Sequence, residues 1–420
     1  MTRSILPSSL SGSIRAIASK SAAHRLLICA AFADGETVIR CDEINEDISA
    51  TVRCLTSLGA KIIRDAPFYR VTPIRTLKCG ALLDCGESGS TMRFLVPMTC
   101  MLGADASFLM SGRLPDRPLS PLREELERSG IVFSEAGSNP LVCRGKLNTT
   151  EFSISGGVSS QFISGLLFEL AISGKSGCIH IESKLESAPY IDLTLDALRR
   201  FGIGFQRKEH SIELFENPGL HAPSQLFVEG DWSNAAFPLS MGAIGKHPVT
   251  VTGLDPASRQ GDRAIAELLS RFGADVRSSD GAYTVSPAPL CGIDIDASQI
   301  PDLVPVLATV ASVAEGRTRI YNASRLRLKE SDRLLTTAAM LSSLGAVVEV
   351  TEDGLLIEGV PSLHGATVSA AGDHRIAMSA ATASIVCDSS ITLEGADAVA
   401  KSYPAFWSDM TSLGLNTYEL

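Results

Sequence analysis

The feature that most constrains this chain is a recurrence of about seventy residues, met six times along its 420 residues. One series of segments reads TVRCLTSLGAKI, PLREELERSGIVF, TLDALRRFGIGF, AIAELLSRFGADV, TTAAMLSSLGAVV and FWSDMTSLGLN. Each is apolar at i, i+3 and i+4, as in Ile265, Leu268, Leu269 and Phe272, which is the pattern of an amphipathic helix. Each ends in a glycine: Gly59, Gly130, Gly202, Gly273, Gly345 and Gly414, spaced 69 to 72 residues apart. Glycine adopts the left-handed backbone that ends a helix without the penalty of a Cβ. The spacing therefore predicts six helices stopped in the same way, each leading into a strand.

A second series interleaves with the first: SKSAAHRLLICAAFADG, GSTMRFLVPMTCMLG, SSQFISGLLFELAISG, SNAAFPLSMGAIG, DLVPVLATVASVAEG and DHRIAMSAATASIV. These segments open on polar residues at Ser21, Ser90, Ser159, Ser233, Asp302 and Asp373, 69 to 74 residues apart, and then turn apolar on every side. A helix apolar all round is buried, and a Ser or Asp at its head fits an N-cap. Short alternating runs at 178–183, 249–254 and 318–323 read as strands between the helices. The fold expected is α/β (α+β), built of six strand-rich units grouped three and three. The seam should fall near residues 223–229, because two globules of about 200 residues match the usual domain scale.

Composition narrows the function. Hydrophobic residues make up 45% of the chain, enough for sizeable cores, so disorder is excluded. The charge of −10, from 37 basic and 47 acidic residues, argues against a general binder of nucleic acid or anionic membrane. Ten cysteines lie singly, with no CxxC and no Cys–His spacing typical of zinc, which reads as a reducing compartment and no structural metal. No apolar run reaches the ~18 residues of a membrane span. The first 33 residues lack acidic residues, as in a transit peptide, but they carry the first motif and fit the repeat.

The polar helix heads carry the chemistry. A helix N-terminus presents unpaired N–H groups and a partial positive charge, which suits anions. Several heads here add cations or hydroxyls: Lys20, Ser21 and Arg25; Gly89, Ser90 and Arg93; Ser159, Ser160 and Gln161; Asp373, His374 and Arg375. Loops contribute Arg113 and Arg117, Ser187 and Tyr190, the run RLRLKESDR from Arg325 to Arg333, and Lys401. GESGSTMR lacks the GK[ST] lysine of a nucleotide phosphate loop, and Ser90 spoils a GxSxG nucleophile elbow. His24 and His374 read as structural.

In this order the motifs SKSAAHR, CGESGSTMRF, SGRLPDRPL, VSSQFISGLL, SAPYIDLT, EGDWSNAAF, IPDLVPVLA, LKESDR, GDHRIAM and VAKSYP resemble the enolpyruvyl transferases across essentially the whole chain. The resemblance implies two similar domains, each of three βαβαββ-type pseudo-repeats with buried helices inside and sheets outside, an inside-out α/β barrel. It implies domains at 12–226 and at 227–420 plus 1–11, with the active site in the cleft between them. Within the family the branch acting on shikimate 3-phosphate fits better than the one acting on UDP-N-acetylglucosamine. The latter pairs Lys with Asn where this chain has Lys20–Ser21, and carries a catalytic Cys where 111–121 has none.

Carried over onto this sequence, shikimate 3-phosphate would be held by Lys20, Ser21, Arg25, Ser159, Ser160, Gln161, Ser187, Tyr190, Asp302 and Lys329. Phosphoenolpyruvate would be held by Lys20, Gly89, Arg113, Gln161, Arg333, Arg375 and Lys401. Asp302, Glu330 and Lys20 would move the protons. The resemblance implies neither metal nor organic cofactor, no nucleic-acid or membrane partner, a cytoplasmic monomer, and glyphosate as an inhibitor. A non-catalytic anion-binding homologue is a further alternative, and the joint presence of Lys20, Asp302, Glu330, Arg333, Arg375 and Lys401 speaks against it. The chain departs from the family pattern in three places. Glu87 replaces an Asn, Phe94 stands where Pro is common and is expected to shift the helix carrying Gly89, and Asn322 is only a candidate for an Asn expected before LKESDR.

Overall fold

A computed structural model describes residues 1–420. It contains α1 (Lys20–Ala31), α2 (Glu46–Leu58), α3 (Gly89–Leu102), α4 (Leu122–Arg128), α5 (Ser160–Ser173), α6 (Ala188–Arg200), α7 (Trp232–Ile244), α8 (Ile265–Phe272), α9 (Val304–Ala311), α10 (Arg333–Ser343), α11 (His374–Ala383) and α12 (Phe406–Ser412). The even-numbered helices are the amphipathic series. The glycine after each has a positive φ, from 85° to 121°, as its role as a helix stop requires. The odd-numbered helices are the buried series; in α5 the run Leu166, Leu167, Phe168, Glu169 and Leu170 is buried throughout.

The caps of α5 and α11 are the expected openings, while those of α1, α3 and α7 sit two residues upstream of them. Ser19, Ser88, Ser159, Asp231 and Asp373 accept the first-turn N–H groups of α1, α3, α5, α7 and α11. Ser21, Ser90 and Ser233 fall inside the first turn instead, because an equally good capping side chain stands two residues earlier on extended backbone. The head of α9 has no side-chain cap. A one-turn helix, Pro301–Leu303, precedes it and carries Asp302.

The strands form six four-stranded sheets of one design. In four of them the strand entering a buried helix lies parallel to the strand leaving it, in the other two the entering strands of α1 and α7 are exchanged, and in all six an antiparallel strand and its own antiparallel partner complete the sheet. Glu151–Ile154, Gly177–Ile181, Ser211–Leu214 and Phe205–Arg207 show the order plainly. Alternating burial, as in Val249–Thr252, places one face of each sheet on a core. Three sheets are completed from far along the chain. Gln225–Phe227 pairs with Thr37–Arg40, Gly12–Arg15 pairs with Val249–Thr252, and Thr2–Ile5 lies between Ile391–Glu394 and Thr417–Glu419.

The chain divides into two compact units, one of residues 18–228 and the other of 1–17 with 229–420, each with its own hydrophobic core. The N-terminal crossing lies at Ile17/Ala18 rather than at residue 11/12, because Gly12–Arg15 is hydrogen-bonded into the sheet of Val249–Thr252. The second crossing lies at Val228/Glu229.

One contact sets the spacing of two buried helices. Pro97 lies inside α3 and has no N–H for the carbonyl four residues back, that of Arg93. Gly165 of α5 lies against that carbonyl; a Cβ there would overlap the Arg93 oxygen and stand 3.1 Å from Pro97 Cγ. Gly165→Ala should therefore destabilise the unit by about 1–3 kcal/mol, read as a lower midpoint in urea. An unchanged midpoint would mean that the two helices separate freely.

Glu169 gives a second expectation. It is 1% exposed, and its Oε2 has no hydrogen-bond partner. Burial raises its carboxyl from the ordinary 4.5 to about 8. Between those values the folded chain holds a proton that the unfolded chain has released, so stability falls as pH rises through that window and levels off above it. Urea denaturation at about pH 6 and about pH 8 should show a smaller loss in Glu169→Gln than in the parent. Equal losses would remove Glu169 as the cause.

Candidate active site

Within unit 18–228 the expected residues gather at the heads of buried helices. Lys20, the first residue of α1, pairs with Asp47 at 2.7 Å, in the first turn of α2. Arg25, one turn on, is buried. Its Nη1 donates to the Ser21 carbonyl at 2.7 Å, its Nη2 to the Tyr190 carbonyl at 2.8 Å and its Nε to Thr194 Oγ1 at 2.8 Å. Its guanidinium stacks over Phe94 at 5.0 Å, so Phe94 forms the floor beneath that cation. Burial lowers Arg25 to about 10, which leaves it charged at neutral pH. Gly89 remains the first residue of α3, and Phe94 packs edge-on to Phe168 within the core. Ser187, at the head of α6, is buried with a left-handed φ of 53°, a conformation that costs a residue bearing a Cβ.

A second group centres on Gln161. Its Oε1 accepts from Arg93 Nη1 at 2.9 Å and its Nε2 donates to Ser90 Oγ at 2.8 Å, so both ends of the amide are used. Arg93 Nη2 also donates to the Pro118 carbonyl at 3.1 Å. Gly89 faces the Arg93 and Arg117 guanidinium groups closely enough that a Cβ there would sit 2.7 and 2.9 Å from their Nη1 atoms. Arg113 is exposed at the head of the one-turn helix Leu114–Asp116, and Arg117, four residues on, is the arginine of that loop beside Gly89. Glu87 lies over Gly112, at the start of the same loop. Ser159 caps α5 and Ser160 is the next residue.

Within unit 1–17 with 229–420, the centre is Arg333, 1% exposed. Its Nε donates to Asp373 Oδ2 at 2.8 Å, its Nη1 to Asp302 Oδ1 at 2.7 Å, and its Nη2 to Glu330 Oε2 at 2.7 Å and Asp373 Oδ1 at 3.2 Å. Burial alone would lower its pKa, but Asp373, Glu330 and Asp302 outweigh burial and raise it well above the ordinary arginine value. Asp302 is also 3.5 Å from Lys329 Nζ and 3.7 Å from Arg375 Nη2. Burial lowers the Lys329 pKa, partly offset by Asp302. Lys401 Nζ donates to the Gly372 carbonyl at 2.9 Å, next to the cap of α11. Arg375 is anchored on Ser233, through its carbonyl at 2.9 Å and its hydroxyl at 2.5 Å.

Other residues take structural places. His24 is buried, bonds Thr51 Oγ1 through Nδ1 at 2.7 Å, and is held neutral by burial, with a pKa near 3. Asn322 is a turn residue with φ 56° whose N–H donates to Asp353 Oδ2 at 2.9 Å. The sequence named Arg93 with Gly89, and Arg117, without assigning either to the site, and Asp262, a buried acid behind Ser233, was not singled out. Arg93 had a signal, as a cation on a buried helix; Asp262 falls outside both repeat series and had none.

Known proteins match this arrangement along its length. The family model of EPSP synthase (3-phosphoshikimate 1-carboxyvinyltransferase) matches residues 6–410. A 3-phosphoshikimate 1-carboxyvinyltransferase of Clostridium kluyveri is 40% identical over 98% of this chain and 97% of its own length. One from Clostridium perfringens is 42% identical with the same coverage. The solved EPSP synthase from Acinetobacter baumannii superposes with a TM-score of 0.83 at 26% identity, covering 99% of each chain. The enolpyruvyl transferase NikO from Streptomyces tendae shares the fold, with a TM-score of 0.76 at 18% identity over 99% of this chain and 98% of its own.

The fold of three-repeat units with cationic helix heads is therefore that of an enolpyruvyl transferase. More narrowly, the chain belongs to the EPSP synthase (3-phosphoshikimate 1-carboxyvinyltransferase) family and carries out the enolpyruvyl transfer of the shikimate pathway. No helix is long and apolar enough to cross a membrane.

Proposed function

We propose that the chain, acting as a cytoplasmic monomer, transfers the enolpyruvyl group of phosphoenolpyruvate to the 5-hydroxyl of shikimate 3-phosphate, with Asp302 as the base for that hydroxyl. The observation that carries the assignment is the surroundings of Asp302: a carboxylate within 2.7 to 3.7 Å of Arg333, Lys329 and Arg375. These cations can hold the anionic reactants against Asp302, so that its carboxylate meets the bound hydroxyl and accepts the proton as attack on C2 makes that proton acidic.

The hydroxyl oxygen attacks C2 of phosphoenolpyruvate and its proton passes to Asp302, while C3 gains a proton. The C2–O bond to phosphate then breaks and C3 loses a proton, giving the enol ether and inorganic phosphate. Glu330 and Lys20 are assigned to the proton at C3. Its four hydrogen bonds to carboxylates use four of the five Arg333 N–H groups, so Arg333 chiefly fixes Asp302 and Glu330 and offers one donor to a ligand. Arg375 and Lys401 are assigned to phosphoenolpyruvate, with Gly89 and Gln161. Arg117 takes the place that the motif comparison gave to Arg113, because it lies beside Gly89 and Arg113 is exposed. Ser21, Arg25, Ser159, Ser160, Ser187, Tyr190 and Lys329 are assigned to shikimate 3-phosphate.

Phosphate release from phosphoenolpyruvate with shikimate 3-phosphate, and none with UDP-N-acetylglucosamine, is the expected outcome; the reverse preference overturns the acceptor. Asp302→Asn should lower kcat by about 100-fold or more while changing the KM of shikimate 3-phosphate far less. A change in KM alone would make Asp302 a binding residue. Arg117→Ala should lower kcat/KM for phosphoenolpyruvate by at least about tenfold, and Arg113→Ala by less than about threefold. The opposite order would return the role to Arg113.

A further inference from the structure

Behind Arg375 runs a short polar chain that the transfer steps above do not use. Asp262 lies in the one-turn helix Gly261–Ala264, ahead of α8, and is 3% exposed. Its Oδ2 accepts from the hydroxyl of Ser233, the second residue of α7. The same hydroxyl accepts from Arg375 Nη2 at 2.5 Å, while the Ser233 carbonyl accepts from Nη1 at 2.9 Å. A guanidinium can only donate and a hydroxyl has one proton, so the chain has one direction: Arg375 to Ser233 to ionised Asp262. On its other flank Arg375 Nη2 faces Asp302 Oδ2 at 3.7 Å. The second oxygen of Asp262, Oδ1, is buried without a partner, and so is Arg375 Nε.

We propose that Asp262 is a positioning residue for the transfer, holding the Arg375 guanidinium towards Asp302 through the Ser233 hydroxyl, and doing so only as the carboxylate. The inference rests on the assignment of Arg375 to phosphoenolpyruvate. A neutral carboxyl can place its own proton on the Ser233 oxygen, which frees the serine proton to point elsewhere and removes the pull on Arg375. The charged groups facing Asp262 are Asp302 from the turn before α9, Arg375 from α11 and Asp231 at the head of α7. Burial raises its carboxyl to about 6, with Asp302 and Asp231 adding to the rise and Arg375 and Ser233 opposing it. The carboxylate, and with it the chain, is therefore expected above that value and lost below it.

The test compares the parent with Asp262→Asn across pH, so that titration of the substrates cancels in the ratio. The amide keeps the shape and an acceptor oxygen but has no charge. The ratio of kcat/KM for phosphoenolpyruvate, parent over variant, should rise from near one at about pH 5 to about tenfold at about pH 8, the scale of one charge-assisted hydrogen bond. A packing defect would give a ratio that does not change with pH, and a flat ratio overturns the proposal. Ser233→Ala breaks the same chain, so at about pH 8 the double variant should be no worse than the more severe single one. Losses that multiply would also overturn it. Arg375→Ala separates the two readings. If it leaves the KM of phosphoenolpyruvate unchanged, the assignment of Arg375 fails. If it raises that KM while the Asp262 ratio stays flat, only the present inference fails.

Discussion

The Arg333 guanidinium and its three carboxylates are the interaction on which this site depends. Asp302 precedes α9, Glu330 lies in the turn before α10, and Asp373 caps α11, so a single side chain ties together the polar heads of neighbouring segments. Removing two or three carboxylates from water is costly, and only a buried cation with well-directed donors offsets it. The converse also holds, since Arg333 without its acids would be an uncompensated buried charge. Its strongly raised pKa expresses that mutual need. Unit 18–228 uses the same device in smaller form. Arg25 joins α1 to α6, and Arg93 joins α3 to α5 and to the loop at Pro118.

This arrangement reconciles the acidic chain with an anionic chemistry. Lys20 is matched by Asp47, Arg333 by three acids, and Lys329 lies near Asp302. The cations are thus held in place by protein partners, and under the assignment proposed above an incoming phosphate or carboxylate would meet donors already aimed. Pre-aimed donors reduce the reorganisation that a reaction must otherwise supply. The formal charge of −10 describes the whole chain and says little about such local groupings.

Much of the architecture was readable because it is local and repeated. Each of the six glycines ends its helix with a positive φ, and the buried series was visible as runs apolar on all sides. The helix heads were legible to within two residues. Ser19 and Ser88 outcompete Ser21 and Ser90 as caps, a choice between equally suitable side chains that turns on backbone conformation. What could not be read is what distant segments decide. The pairing of Gly12–Arg15 with Val249–Thr252 moves the first crossing to Ile17, although nothing within residues 12–17 names a partner so far along the chain. Arg113 and Arg117 share one short loop with nearly the same composition around them, and only the folded loop shows that Arg117 lies against Gly89. Asp262 belongs to no repeat position and gains its meaning from Ser233 and Arg375.

The placement of Thr2–Ile5 between Ile391–Glu394 and Thr417–Glu419 has a consequence for how the molecule is made. Synthesis delivers this strand long before either of its neighbours. The stretch 18–228 holds all the partners for its own sheets and can settle while the ribosome is still at work. The opening residues must wait with their backbone groups open to any other edge they meet. An early-made strand is thus the keystone of a late-formed sheet, and in the interval between the two the strand is exposed to wrong pairings.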